Sequence, residues 1–220
     1  MNRKANQMVT DGVAVVRSLS AVRSKYSKEE REVFIATQRA LEQAAEHVKV
    51  LDLAVQEATA RVTLADDALD AACRDLATAL ASEGFDRFNP FKSFGVNAPS
   101  ALTGLNLLTQ ASAASMLAKR VAGHEEARAG SRKAAAAVAM KAQAALDAEA
   151  TRSDAALQRA LSIARRDKTL PVEWQAALTA LRAAVRYGDL KEKTSHYTAV
   201  FSSLNKPRAK KKTTSDEPVA

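Results

Sequence analysis

From Phe34 to Ala79 one pattern dominates the chain. Phe34, Leu41, Val48, Val55, Val62, Leu69 and Leu76 recur every seven residues, and three positions after each come Thr37, Ala44, Leu51, Ala58, Ala65, Ala72 and Ala79. This is the a/d seam of a coiled coil sustained over seven heptads, with neither Pro nor Gly inside it. Large residues at a and mostly alanine at d let a neighbouring backbone come close, and a 3.5-residue period implies a left-handed supercoil. So long an apolar stripe requires a cover, because an isolated helix is held mainly by what it packs against. The residues define a shape and two chemically distinct ends rather than a reaction.

Ser27 followed by Glu30 reads as a capping box that opens this helix, and Gly84 as its left-handed stop. The helix over 27–83 then measures about 85 Å at 1.5 Å per residue. Before it, in residues 1–26, Val9, Val13, Val16 and Leu19 give a weak helical pattern that Gly12 interrupts, so a short, loosely held helix is expected. After it, two glycines and two prolines make 84–100 a loop. Ser100 caps a second, alanine-rich helix over 101–168, with a kink or break between Gly123 and Lys133. Pro171 opens a third helix whose face carries Trp174, Leu178, Leu181 and Val185 and which Gly188 ends. A final helix near 190–204 completes a two-helix module over 169–204. Residues 205–220 read as a disordered basic tail.

Charge pairs the two long helices. Residues 32–84 carry ten acids and four bases, and residues 101–170 carry eleven bases and six acids. A symmetric fold-back aligns residues whose numbers sum to about 185, setting Asp66 against Lys119, Arg61 against Glu125 and Glu126, and Asp52 against Arg132 and Lys133. The expected fold is all-α: an elongated antiparallel coiled-coil helical hairpin with a small helical module at its base. The rival is a homodimer through the same seam, and two hairpins forming a four-helix bundle combine both. A homo-oligomer is therefore expected.

Composition supports this and excludes much else. Alanine supplies 48 of the 220 residues and aromatics only 5%, which favours long, closely packed helices. Cys73 is the sole cysteine, so no intrachain disulfide and no thiolate cluster can form; it reads as a small residue flanking the seam, or as a covalent link between two copies. There is no H-E-x-x-H, Glu-x-x-His pair, Cys-x-x-Cys or Gly-rich phosphate loop, and His47, His124 and His196 lie far apart. His124 with Glu125 and Glu126 reads as a solvated face, and Lys119 and Arg120 account for two of the acids in the Asp66, Asp67 and Asp70 cluster. No catalytic residue, metal, cofactor or small-molecule substrate is expected. Asp11, Gly12 and Arg17 spoil any apolar core of a secretory signal, and no segment has the apolar density of a spanning helix. A soluble, cytoplasmic protein is the expectation.

Two features carry the functional expectation. Phe85, Phe88, Phe91 and Phe94 are four of the six phenylalanines, spaced by three at the hairpin tip, and Ser93–Ala118 is a charge-free run of 26 residues. The rings read either as a loop-borne mini-core that plugs the open end of the coiled coil or as an apolar tip for a partner protein or a bilayer interface. A mixture is expected, with Phe85 and Phe94 against the helix ends and Phe88 and Phe91 turned outward around Pro90. At the opposite end, residues 1–31 (net +4) join the tail with Lys206, Arg208, Lys210, Lys211 and Lys212 (net +3), a pairing suited to an anionic lipid or nucleic-acid surface. The expected function is a non-catalytic coiled-coil scaffold or adaptor that binds a protein partner. A membrane-active protein of the translocator or pore-forming kind, acting through the tip, is the first alternative. A non-specific architectural nucleic-acid binder, acting through the basic termini, is the second.

Overall fold

The computed structural model of the chain describes residues 3–22, 24–96, 98–202 and 204. Seven α-helices follow in order among them: α1 (Arg3–Leu19), α2 (Lys28–Ser82), α3 (Pro99–Thr103), α4 (Leu107–Ala122), α5 (Ala129–Ala164), α6 (Leu170–Glu192) and α7 (His196–Phe201). There is no strand among the described residues. A π-helical stretch, Arg165–Thr169, joins α5 to α6. The protein is an all-α helical hairpin in which α2 is one arm, α5 and α6 are the other, and the two arms pack against each other. The predicted seam is the contact face: each of its a and d residues is buried or half-buried. The chain divides into two compact units, Val48–Leu161 and the pair Met1–His47 with Ser162–Ala220.

In the unit 48–161, α5 runs antiparallel to α2. The Glu83 carboxylate accepts from the backbone amides of Arg128 and Ser131, both at 2.8 Å, and far along the same helices Asp52 pairs with Arg159. The register is therefore not the symmetric one. Asp52 does not meet Arg132 or Lys133; Arg132 instead donates to the His124 carbonyl at 3.2 Å. Glu125 and Glu126 lie at the Glu83 end of α2, away from Arg61. Asp66 gains no neutralising Lys119: burial, followed by the charges of Asp70 and Asp67, raises its pKa, the opposite of what a lysine would do.

The cause of the shift is an additional helix. The predicted 101–168 helix is three helices, α3, α4 and α5. Gly104 ends α3, and the Asn106 side chain caps α4 by accepting from the Thr109 amide at 3.1 Å. Gln110 of α4 donates to Asp70 at 2.6 Å, while His124, just past the end of α4, sets its ring 5.7 Å from Phe85. Helix α4 thus runs in the same direction as the last part of α2, and the hairpin turns at residues 123–128 rather than at 84–100. This explains the charge-free run: Gln110, Ala111, Ala114, Leu117 and Ala118 are buried in one core with Leu69, Leu76, Leu80, Val138 and Ala142. Cys73 is fully buried there, and burial together with Asp70 pushes its thiol up to about 11. A thiol so placed is unsuited to linking two copies.

The other unit is more tightly knit than its sequence suggested. Phe34 and Leu41 of α2 share a core with Val15 and Leu19 of α1, Trp174, Leu178, Leu181 and Val185 of α6, and Val200 and Phe201 of α7. Gln38 sits inside it. Its Oε1 accepts from Trp174 Nε1 at 2.7 Å, and its Nε2 donates to the Val9 carbonyl at 3.0 Å and to Glu42 at 2.7 Å. Gly12 does not interrupt α1; it makes room, since a Cβ there would lie 1.7 Å from Gln38 Oε1. Gly188 likewise lies within α6 and admits Ser24, and the helix ends instead at Lys193, which takes the left-handed conformation. Ser27 is buried in a short 3-10 turn and donates to the Ser24 carbonyl, so the cap before α2 is formed by Ser24 rather than by a Ser27–Glu30 box. Asp189 accepts from the amides of His196 (2.9 Å) and Tyr197 (2.7 Å) and from the Thr194 hydroxyl (2.6 Å), which starts α7. Burial pushes its carboxyl up, yet these bonds outweigh it and hold the pKa below the usual value.

Candidate interaction site at the hairpin tip

The tip is where α2 ends, α4 ends and α5 begins. Gly84 takes a left-handed conformation (φ 103°) after α2, and the Phe85 amide returns to the Leu80 carbonyl at 3.1 Å. The chain then has to place four phenylalanines within ten residues. Phe91 and Phe94 are buried in the core shared by α2, α4 and α5, and Phe85 is half-buried against it. Phe85 and Phe94 lie 5.4 Å apart, and the His124 ring stands edge-on to both, 5.7 Å from Phe85 and 5.1 Å from Phe94. His124 is therefore a packing residue of the tip rather than part of a solvated face.

Phe91, expected outward, is inward. The reason is the 3-10 turn Lys92–Phe94, which ties the Phe94 amide to the Phe91 carbonyl at 2.9 Å and brings both rings to the same side. Gly95 closes this turn with φ 76°, and the close approach of Arg120, which donates to the Phe94 carbonyl at 2.6 Å, leaves no space for a side chain there.

Phe88 is the exception, with 94% of its surface exposed. Its backbone is nonetheless fixed. The Asp86 carboxylate accepts from the Phe88 amide at 2.8 Å and from the Asn89 amide at 3.2 Å, and these two bonds lower the Asp86 pKa. This is an Asx turn, and it orders the backbone that carries the ring. The same loop carries the exposed cations Arg87 and Lys92. A hollow of about 410 Å³ next to Phe85 is lined by Glu83, Glu125, Glu126 and Arg128. The Glu83 pKa is lowered, first by its bond with Ser131 and then by the amides of Arg128 and Ser131.

The sequence picked out the four rings but not the residues that sort them. Asp86, Arg120 and His124 are the ones that decide which ring is in and which is out. Asp86 two residues before Phe88 was the one local signal, because an aspartate often bonds the amide two positions on. Lys206, Arg208, Lys210, Lys211 and Lys212 lie outside the described residues. Among the described residues no group of three or more His, Cys, Asp or Glu is arranged to hold a metal ion, and no helix is long and apolar enough to cross a membrane. No known protein family, curated protein or solved structure matches this chain.

Proposed function

We propose that this protein is a non-catalytic helical scaffold or adaptor that engages a protein partner through Phe88. The observation that carries the reading is a single, almost fully exposed aromatic ring on a turn whose backbone Asp86 bonds, in the same loop as three rings that are buried or half-buried. A soluble domain gains nothing by fixing a phenylalanine in water, whereas a pre-ordered ring enters a partner pocket with little loss of freedom. Burying it supplies roughly 1.5–3 kcal/mol. Charge favours a protein over an anionic bilayer, since the acids Glu83, Asp86, Glu125 and Glu126 share the tip with Arg87, Lys92 and Arg128. The buried, unactivated Cys73 suits a reducing compartment, which is where we place the protein's action: the cytoplasm.

The test is a photoreactive phenylalanine analogue at position 88 of the full chain. One protein adduct of defined mass, suppressed by excess unlabelled wild type, is the expected result. Adducts to lipid turn the reading toward the membrane-active alternative, and an absence of any saturable adduct removes the functional tip.

A second reading rests on where the charge lies. Residues 48–161 carry 13 bases and 13 acids, while residues 1–47 with 162–220 carry 20 bases and 12 acids, so the whole net charge of +8 belongs to the second set. That unit suits an anionic surface such as nucleic acid. Binding of this kind should weaken steeply between about 50 and 200 mM salt, and truncation after Asn205 should flatten the dependence.

A further inference from the structure

Helix α2 has two flanks beside its seam, and within the unit 48–161 they are treated differently. One flank lies under α4: Cys73 and Leu80 are fully buried and Asp70 is bonded to Gln110. The other carries Val50, Ala54, Glu57, Arg61, Leu64 and Ala68, spaced alternately by four and three. That spacing is itself a heptad stripe, displaced from the first. Among the described residues it is left largely open. Val50 is 61% and Leu64 69% exposed, Ala54 and Ala68 are half-buried, and Glu57 and Arg61 are exposed with no ion pair among the described residues.

The order of residues along this stripe is self-complementary. When a second α2 is laid against it in the opposite direction, with the two-fold axis at the level of residue 59, each large apolar side chain meets an alanine and the two charges meet their opposites. Val50 faces the partner's Ala68, Ala54 faces the partner's Leu64, and Glu57 faces the partner's Arg61. The two-fold then repeats all three pairings. A parallel arrangement instead stacks Glu57 on glutamate and Arg61 on arginine, and leaves alanine opposite alanine. Antiparallel helices pack through such alternating layers, and an interface that pairs i with j and j with i closes as a dimer.

We infer that the open stripe of α2 is the contact face of an antiparallel homodimer, with a second copy of this chain as its occupant. Charge agrees locally: the unit carrying the stripe has equal numbers of acids and bases, so the net charge of +8 lies outside the contact face. The stripe spans about 28 Å of helix, which places the interface at the small end of those that persist in solution. This inference is independent of Phe88, which is not on the stripe.

Sedimentation of the full chain from about 1 to 200 µM, with circular dichroism as a control for folding, tests it. Wild type should pass from monomer to dimer. Glu57→Arg alone and Arg61→Glu alone should each weaken association by about tenfold or more, because each sets like charges face to face. The double variant Glu57→Arg/Arg61→Glu should recover the dimer, and a mixture of the two single variants should form a heterodimer. For direction, a Val50→Cys chain should form a disulfide with an Ala68→Cys chain and not with itself. Wild type that stays monomeric at the highest concentration overturns the inference. So do single charge reversals without effect, or Val50→Cys homodimers in preference to the mixed pair.

Discussion

The two units cover the same seam by opposite means. In the unit made from residues 1–47 and 162–220, Phe34 of α2 stacks 5.6 Å from Trp174, and the buried amide of Gln38 joins α1, α2 and α6 through three hydrogen bonds. In the unit 48–161 the cover consists mainly of alanine, valine and leucine from α4 and α5, and the only large rings in the core come from a loop. Polar groups inside a core specify one arrangement, because any other leaves them unpaired. Small apolar residues allow close approach but name no partner, so register there is set by a few polar groups, Glu83 just past the end of α2 and the buried Gln110 with Asp70. The first unit fixes its arrangement through one central amide, and the second through polar contacts spread along α2. The second unit also leaves open Phe88, whose ring is 94% exposed, and a stripe along α2.

The comparison breaks most visibly with large core deletions. Trp174→Ala and Phe91→Ala should each cost about 3–5 kcal/mol, the range for aromatic truncation in a packed site. Hydrogen exchange should show the loss of protection concentrated in the unit that carries the substitution. A loss spread evenly over both units would mean that they fold as one.

Next come the polar lock and the glycine that admits it. Gln38→Ala strands Trp174 Nε1, at a cost of about 1–3 kcal/mol. Gly12→Ala drives a methyl group into Gln38 and should cost a similar amount, about 1–3 kcal/mol. Denaturant midpoints of the two variants and of their combination measure the coupling, and the double variant should lose less than the sum of the two.

Acid should loosen the edges of the second unit. Glu83 and Asp86 have folded pKa values below their ordinary ones, so each contributes stability that is fully present above the ordinary value and lost as pH falls through the folded one. The window therefore lies below about pH 4.5. Carboxyl titration by NMR should give depressed midpoints for both, and Glu83→Gln should flatten the acid loss at the start of α5. Depressed midpoints without any change at α5 would disconnect Glu83 from register. The smallest effect belongs to Phe88→Ser, which should move stability by no more than about 0.5 kcal/mol, as surface changes do. A large drop would show that the ring serves the fold.

Much of this was legible. The seam, the arms and the loop follow from period and from Gly and Pro, because seven-residue repetition leaves few ways to cover a helix. Register was not legible, for a physical reason: exposed ion pairs contribute about 0–1 kcal/mol each and match in several alignments, so charge balance between the arms did not reveal α4. The charge-free run Ser93–Ala118 was the real sign of a third helix, and it read as the tip loop and the start of one long second helix. Gly12 and Gly188 looked like breakers because glycine is costly in a helix, and nothing local says that Gln38 or Ser24 needs the space. Residue type alone does not separate Phe88 from Phe91; Asp86 and the 3-10 turn do.

The exposed ring and the open stripe both depend on one chain filling its own seam in the register that sets Asp52 beside Arg159. Cysteines at those two positions, in a Cys73→Ser background and joined by a short bifunctional maleimide at low protein concentration, test this most directly. Linkage within one chain is the predicted result for Asp52→Cys with Arg159→Cys, and none for Asp52→Cys with Lys133→Cys, whose positions on α5 are about 39 Å apart along the helix. Linkage of Asp52→Cys to Lys133→Cys within one chain, or products only between chains, would contradict the fold-back on which both surfaces rest.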